Sequence, residues 1–167
     1  MIYFSKRKDG EKMISKFNEK TQKIVAIAES QAFDFGHVRV GPEHLLLALL
    51  KVKESKLKTI LNQNQITYEV VKEKIVDLFG PKQFQPFWME YTPSLKRIME
   101  KSILEAKKLG NDKVSTDILT YCLLDEEENV AKDLLRQLEV DVDEIKKQIK
   151  INHNWYSFTS VSYDILF

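Results

Sequence analysis

The sequence matches itself without gaps at one constant offset of 74 residues, so the chain is read as two copies of a single folding unit. At that offset Gly36 meets Gly110, Ile24 meets Ile98, Ala32 meets Ala106, Phe35 meets Leu109 and Val40 meets Val114. The register runs on through Glu43 with Asp117, Leu45 with Leu119, Leu49-Leu50 with Leu123-Leu124 and Ile60-Leu61 with Leu134-Leu135. It closes with Ile66 on Val140, Val71 on Ile145 and Ile75 on Ile149. Chance pairing of apolar residues gives a few such matches. It does not hold one register over this span while also aligning a glycine and an acid.

Each copy reads as four helices. Ile24, Ala28, Ala32 and Phe35 recur at helical spacing and predict one buried stripe from Phe17 to Phe35. Gly36 is expected as a left-handed stop, and His37 to Val40 as a short extended lead into Gly41-Pro42-Glu43. Proline at a first helical position loses no hydrogen bond, and an acid beside it meets the positive end of the helix dipole. The segment His44 to Lys51 is apolar nearly all round, which predicts the central buried helix of its half. Leu57, Ile60 and Leu61 mark a third helix, and Val70, Val71, Ile75 and Leu78 a fourth. The second copy repeats the plan, with Thr92-Pro93 opening a helix that Gly110 ends and Ser115 as the expected cap of the next. Helices near Val130–Leu138 and Val142–Ile149 complete it.

The expected fold class is therefore all-α, eight helices in two pseudo-twofold four-helix repeats. The repeats are placed at residues 13–79 and 91–150, joined by a connector at 80–90. A flexible N-terminal segment, 1–12, precedes them, and an aromatic C-terminal tail, 151–167, follows. The connector carries Phe84, Phe87 and Trp88, so it is expected to fold back on the helices. The alternative for it is an exposed docking patch. For the tail, packing on the domain, strand addition to a partner and self-association all stay open.

Charge narrows the function. Twenty-six basic residues against twenty-five acidic ones give a net charge of +1, which argues against a nucleic-acid binder with its basic face. The longest apolar run, Leu45–Leu50, is too short to cross a membrane, and the first dozen residues lack the apolar core of a secretory signal. A single cysteine, Cys122, forms no intrachain disulfide and fits a reducing, cytoplasmic location. It lies in an apolar helix, aligned in the repeat register with Ala48 of the first copy, and is read as a core residue. Gly36 and Gly41 have phosphate-loop spacing, but Pro42-Glu43 follows where lysine and a hydroxyl would hold a γ-phosphate. His37 and His44 lack a third ligand at metal spacing and are expected to hydrogen-bond a loop carbonyl. No catalytic constellation, metal site or cofactor is expected.

Phe17, Ala28 and Ala32, followed by Gly36-His37-Val38-Arg39-Val40-Gly41-Pro42-Glu43-His44-Leu45-Leu46-Leu47, resemble the repeat of the Clp unfoldase N-terminal domain, ClpC/ClpA type. That repeat runs as a long helix, Gly-His, then Ile/Val-Gly-Thr-Glu-His-Ile/Leu-Leu-Leu. Tyr91-Thr92-Pro93, Lys96, Ala106 and the repeat register also resemble it, and the likeness covers Phe17 to Lys150. Pro42 departs from the family's threonine, and Ser115-Thr116-Asp117-Ile118 departs from Gly-Thr-Glu-His. A full unfoldase would continue into ATPase modules; Met1 and the aromatic tail lead us to expect a stand-alone protein instead.

The resemblance implies a protein-binding module that recognises Clp adaptor proteins or substrate proteins, with Clp unfoldase or protease subunits as further partners. It also implies phosphoarginine recognition by the motif glutamate, which falls on Glu43 and, with a shorter side chain, on Asp117. The chemistry is consistent: a helix start suits a phosphate, and a carboxylate grips a guanidinium by two bonds. An acid in the first turn also steadies its own helix by ~0.3–1 kcal/mol with no ligand. The candidate ligand-binding residues are Val40, Gly41 and Glu43 in the first repeat and Val114, Ser115, Thr116 and Asp117 in the second. The other functional reading is a structural accessory that binds the Clp protease or unfoldase and recognises no substrate.

Overall fold

Both halves supply the same four helices in the same order. The structure, a computed structural model, describes residues 3–4, 7–80 and 88–152. In the first half the helices are α2 (Glu19–Phe35), α3 (Pro42–Lys51), α4 (Lys56–Gln63) and α5 (Tyr68–Phe79). The second half has α6 (Pro93–Lys108), α7 (Thr116–Asp125), α8 (Val130–Gln137) and α9 (Val142–Asn152). No helix among the described residues is long and apolar enough to cross a membrane.

The repeat extends to single backbone angles. Gly36 and Gly110 both end their long helices at φ 76°, where a Cβ would be strained. Two residues that are not glycine, Gln65 and Glu139, share φ 62° and are also repeat mates. The caps correspond as well. Asn18 and Thr92 accept from Thr21 N–H and Leu95 N–H, and Ser55 and Asn129 cap α4 and α8.

The core is one body shared by both copies. In α3 every residue from Pro42 to Leu50 is buried, and in α7 Ile118, Leu119, Cys122, Leu123 and Leu124 are buried. Each such leucine or isoleucine contributes about 1.5–3 kcal/mol by leaving water. α3 packs on α2 and α5 of its own half, and also on α7 and α8 of the other. Cys122 lies in this core, and burial pushes its thiol up to about 12, so the nucleophilic thiolate is absent at neutral pH.

Two short backbone pairings cross between the halves. Strand β2 (Arg39–Val40) runs parallel to β3 (Trp88–Tyr91), with Val40 opposite Tyr91. The repeat mates of these residues, Val114 and Phe17, form the matching parallel bridge. Thr92 N–H donates to Val40 O at 3.0 Å, and its mate Asn18 N–H donates to Val114 O at 3.1 Å. Thus the lead-in to each central helix is paired with the residues before the long helix of the other copy.

Starting in the segment 1–12 expected to be a flexible lead, and reaching two residues into the first repeat, lie β1 (Tyr3–Phe4) and one further described helix, α1 (Arg7–Ile14). β1 pairs in parallel with β3, giving a short sheet in the order β1-β3-β2. Met13 and Ile14 pack on the core, which gives α1 a reason to form. The end of the connector becomes β3; Phe84 and Phe87 lie outside the described residues, as does the tail beyond Asn152.

Candidate functional site

The pseudo-twofold sets two helix starts in equivalent places, and their chemistry differs. At α3 the N-cap is Gly41, which has no side chain to accept a hydrogen bond. Its own N–H is instead taken by His44 Nδ1 at 2.9 Å, three residues on, in the place where a capping box usually puts glutamate. Because Nδ1 accepts, the neutral ring carries its proton on Nε2, which donates to His37 Nδ1 at 2.9 Å. The expected carbonyl partner is thus replaced by a backbone N–H and a second imidazole. Burial, with His37 beside it, pushes His44 down to about 3, and burial also lowers His37. His37 stacks on Phe35 and meets the edge of Phe79.

Glu43 follows Pro42 and is only 8% exposed. Its carboxylate folds back over Gly41, and a Cβ at position 41 would stand 2.6 Å from both Oε1 and Oε2. Gly41 is extended, at φ −118°, a conformation open to any residue, so what glycine supplies there is room for the Glu43 carboxylate in this position. Burial raises the Glu43 carboxyl above its ordinary range, and a hydrogen bond from its own backbone N–H partly offsets this. Oε1 lies 3.3 Å from His44 Nδ1, but that nitrogen is accepting, so the contact joins two acceptors and is no ion pair. Among the described residues no lysine or arginine pairs with Glu43.

The first turn of α3 has few donors left to offer. Gly41 N–H goes to His44, Pro42 has none, Glu43 N–H is used by its own carboxylate, and His44 N–H reaches Gly41 O at 3.1 Å. A carboxylate is therefore presented without the free amides that a phosphate would need.

At α7 the cap is conventional. Ser115 Oγ accepts Ile118 N–H at 3.3 Å, and Ile118 replaces the histidine. Asp117 accepts from Lys56 Nζ of α4 at 2.8 Å, with the two side chains 16% and 38% exposed. Val40, in β2, and Val114, in the single bridge to Phe17, are fully buried and orient the two starts, and Thr116 is the first residue of α7. The structure thus places all seven candidate residues at two equivalent helix starts, Glu43 without a cation and Asp117 with one. The pairing with Lys56 and the histidine relay were not expected from sequence. The only written trace of the first is that Lys56 has an uncharged repeat mate, Val130.

Elsewhere, Glu126 sits buried between Arg97 at 3.0 Å and Lys101 at 2.9 Å, which together overcome the burial cost and keep its carboxyl low. Glu29 accepts from Tyr91 Oη at 2.6 Å and ties α2 to β3. Among the described residues no cluster of His, Cys, Asp and Glu is arranged to hold a metal ion.

Residues 16–138 match the family model described as Clp repeat (R) N-terminal domain. The chain is 32% identical over 137 residues to the negative regulator of genetic competence ClpC/MecB of Bacillus subtilis, covering 82% of this chain. It spans 17% of the length of that relative. The N-terminal domain of the caseinolytic protease associated chaperone ClpD from Arabidopsis thaliana has the same fold, with a TM-score of 0.68 at 16% identity over 83% of this chain and 98% of that one. A ClpV N-domain in complex with a VipB peptide superposes with a TM-score of 0.62 at 19% identity, covering 84% of this chain and 88% of that one. The shared register, the paired helix starts and these matches agree: the chain belongs to the Clp N-terminal-domain family.

Proposed function

We propose that the chain is a non-catalytic protein-binding module of a Clp chaperone–protease system, recognising adaptor or substrate proteins for ATP-dependent unfolding and degradation. The observation that carries this reading is Glu43, a carboxylate held at a helix start with no lysine or arginine of the described chain against it. A guanidinium satisfies such a group through two parallel N–H···O bonds. The ligand is then an arginine-bearing segment, and the family resemblance makes phosphoarginine the first form to try. The peptide carried by the ClpV N-domain supports a peptide-binding role for the fold.

Calorimetric titration of the chain with an arginine peptide and with its side-chain-phosphorylated form tests this. Binding heat that disappears in Glu43→Gln is expected; no heat from either peptide would end the reading. A preference for the phosphorylated peptide would mean that the first turn of α3 rearranges to free its amides.

A further inference from the structure

We infer that Lys56 is a built-in competitor at the second helix start, so that the chain presents one cation-binding site, Glu43, where its repeat supplies two. This deepens the reading given above and rests on it. Lys56 Nζ sits 2.8 Å from Asp117, the repeat mate of Glu43, in the position a ligand's cationic group would take. A carboxylate already paired with an ammonium offers an incoming guanidinium less.

The contact is not explained by helix stability alone. Lys56 is the first residue of α4, whose first turn contains no acid, and a cation at that end opposes the helix dipole. Ser55 Oγ already caps α4 by accepting Lys58 N–H at 3.3 Å. Ordinary helix economy favours an uncharged residue at position 56, and the repeat mate Val130 is one. Only one of the two equivalent positions carries the charge, and it sits against Asp117. Because Lys56 is partly exposed and its pair with Asp117 is an ordinary ion pair, the closure is reversible and sensitive to salt.

Titration with the arginine peptide and its phosphorylated form, on the full chain, decides the point. The wild type is expected to fill one site that Asp117→Asn leaves unchanged. Lys56→Met is expected to add a second site, at least about fivefold stronger than any residual binding at Asp117 in the wild type, and Asp117→Asn should remove it again. Lys56→Arg keeps the charge and should keep the second site closed, while Val130→Lys should weaken binding at Glu43. A wild type that fills two sites, one lost with Asp117→Asn, overturns the inference and leaves the proposed function standing. A Lys56→Met chain that gains no binding also overturns it. A gain at Asp117 without any binding at Glu43 upholds Lys56 as competitor and removes the role given to Glu43. Circular dichroism of each variant separates these outcomes from a loss of fold.

Discussion

The first helix start, Gly41-Pro42-Glu43-His44, and the second, Ser115-Thr116-Asp117-Ile118, occupy equivalent places and solve the same problem by opposite means. Repeat 1 has no capping side chain, so a buried histidine reaches back to Gly41 N–H while the acid curls over the glycine. Repeat 2 has a serine cap, needs no histidine, and turns its acid toward Lys56. Architecture is thus kept by the fold, while charge is free to diverge. Repeat 1 stores a buried carboxylate with no cation among the described residues against it and a buried imidazole; at the matching positions repeat 2 has an aspartate paired with Lys56 and an isoleucine.

That contrast predicts a difference in acid response, and it is the largest effect expected. His44 is held near 3 in the folded chain against 6.5 for a histidine in water, so the unfolded chain takes up the proton first. Stability is therefore fully present above 6.5 and lost as pH falls from there toward 3. The loss from this residue is on the order of a few kcal/mol, since each pH unit in that window is worth about 1.4 kcal/mol. Replacing His44 with isoleucine, the residue of repeat 2, should flatten this limb in urea melts between neutral and acid pH. At neutral pH it should destabilise by about 1–3 kcal/mol, because Gly41 N–H loses its acceptor. An unchanged acid limb would break the comparison.

A smaller effect tests the cap of repeat 2. Ser115→Ala should cost about 1 kcal/mol, measured by the same melts, because Ile118 N–H loses its partner. Smaller still is the effect of Glu43→Gln, which should raise the stability of the wild-type chain at neutral pH. Burial raises the Glu43 carboxyl, so the folded state disfavours its charge; the gain is present when Glu43 is ionised in both states, fades as pH falls through the raised folded value, and is gone below 4.5. A Tm rise of about 1–2 °C fits a few tenths of a kcal/mol in a domain of this length. Last, Gly41→Ala should change stability little, since an extended backbone accepts alanine and a flexible carboxylate can move aside. It should still evict that carboxylate, and NMR titration should then place Glu43 nearer 4.5 than in the wild type.

Much of the fold could be read from the sequence because it rests on signals local to one repeat. Apolar spacing announces α2 and α6, Gly36 and Gly110 stop them, and the unbroken apolar run of α3 requires burial from all sides. The central helix, the Ser115 cap and proline at the first position of α3 and α6 all follow from rules of this kind. What escaped depends on residues far apart in the chain. Lys56 and Asp117 are joined only through the twofold, and α1 forms because Met13 and Ile14 find the core. The histidine relay escaped for another reason. Two imidazoles seven residues apart show no periodic pattern, and only the bend between α2 and α3 brings Nδ1 of one within 2.9 Å of Nε2 of the other.

The crossed bridges, Val40 with Tyr91 and Phe17 with Val114, bear on how such a chain can arise. A solitary repeat would leave both of its pairing segments without mates, and a second identical copy turned about a dyad would satisfy all of them at once. Each half of this protein therefore completes the backbone pairing of the other, and the connector keeps the two side by side. Severed in the connector, the two fragments should be unstable apart and recover their structure only on mixing.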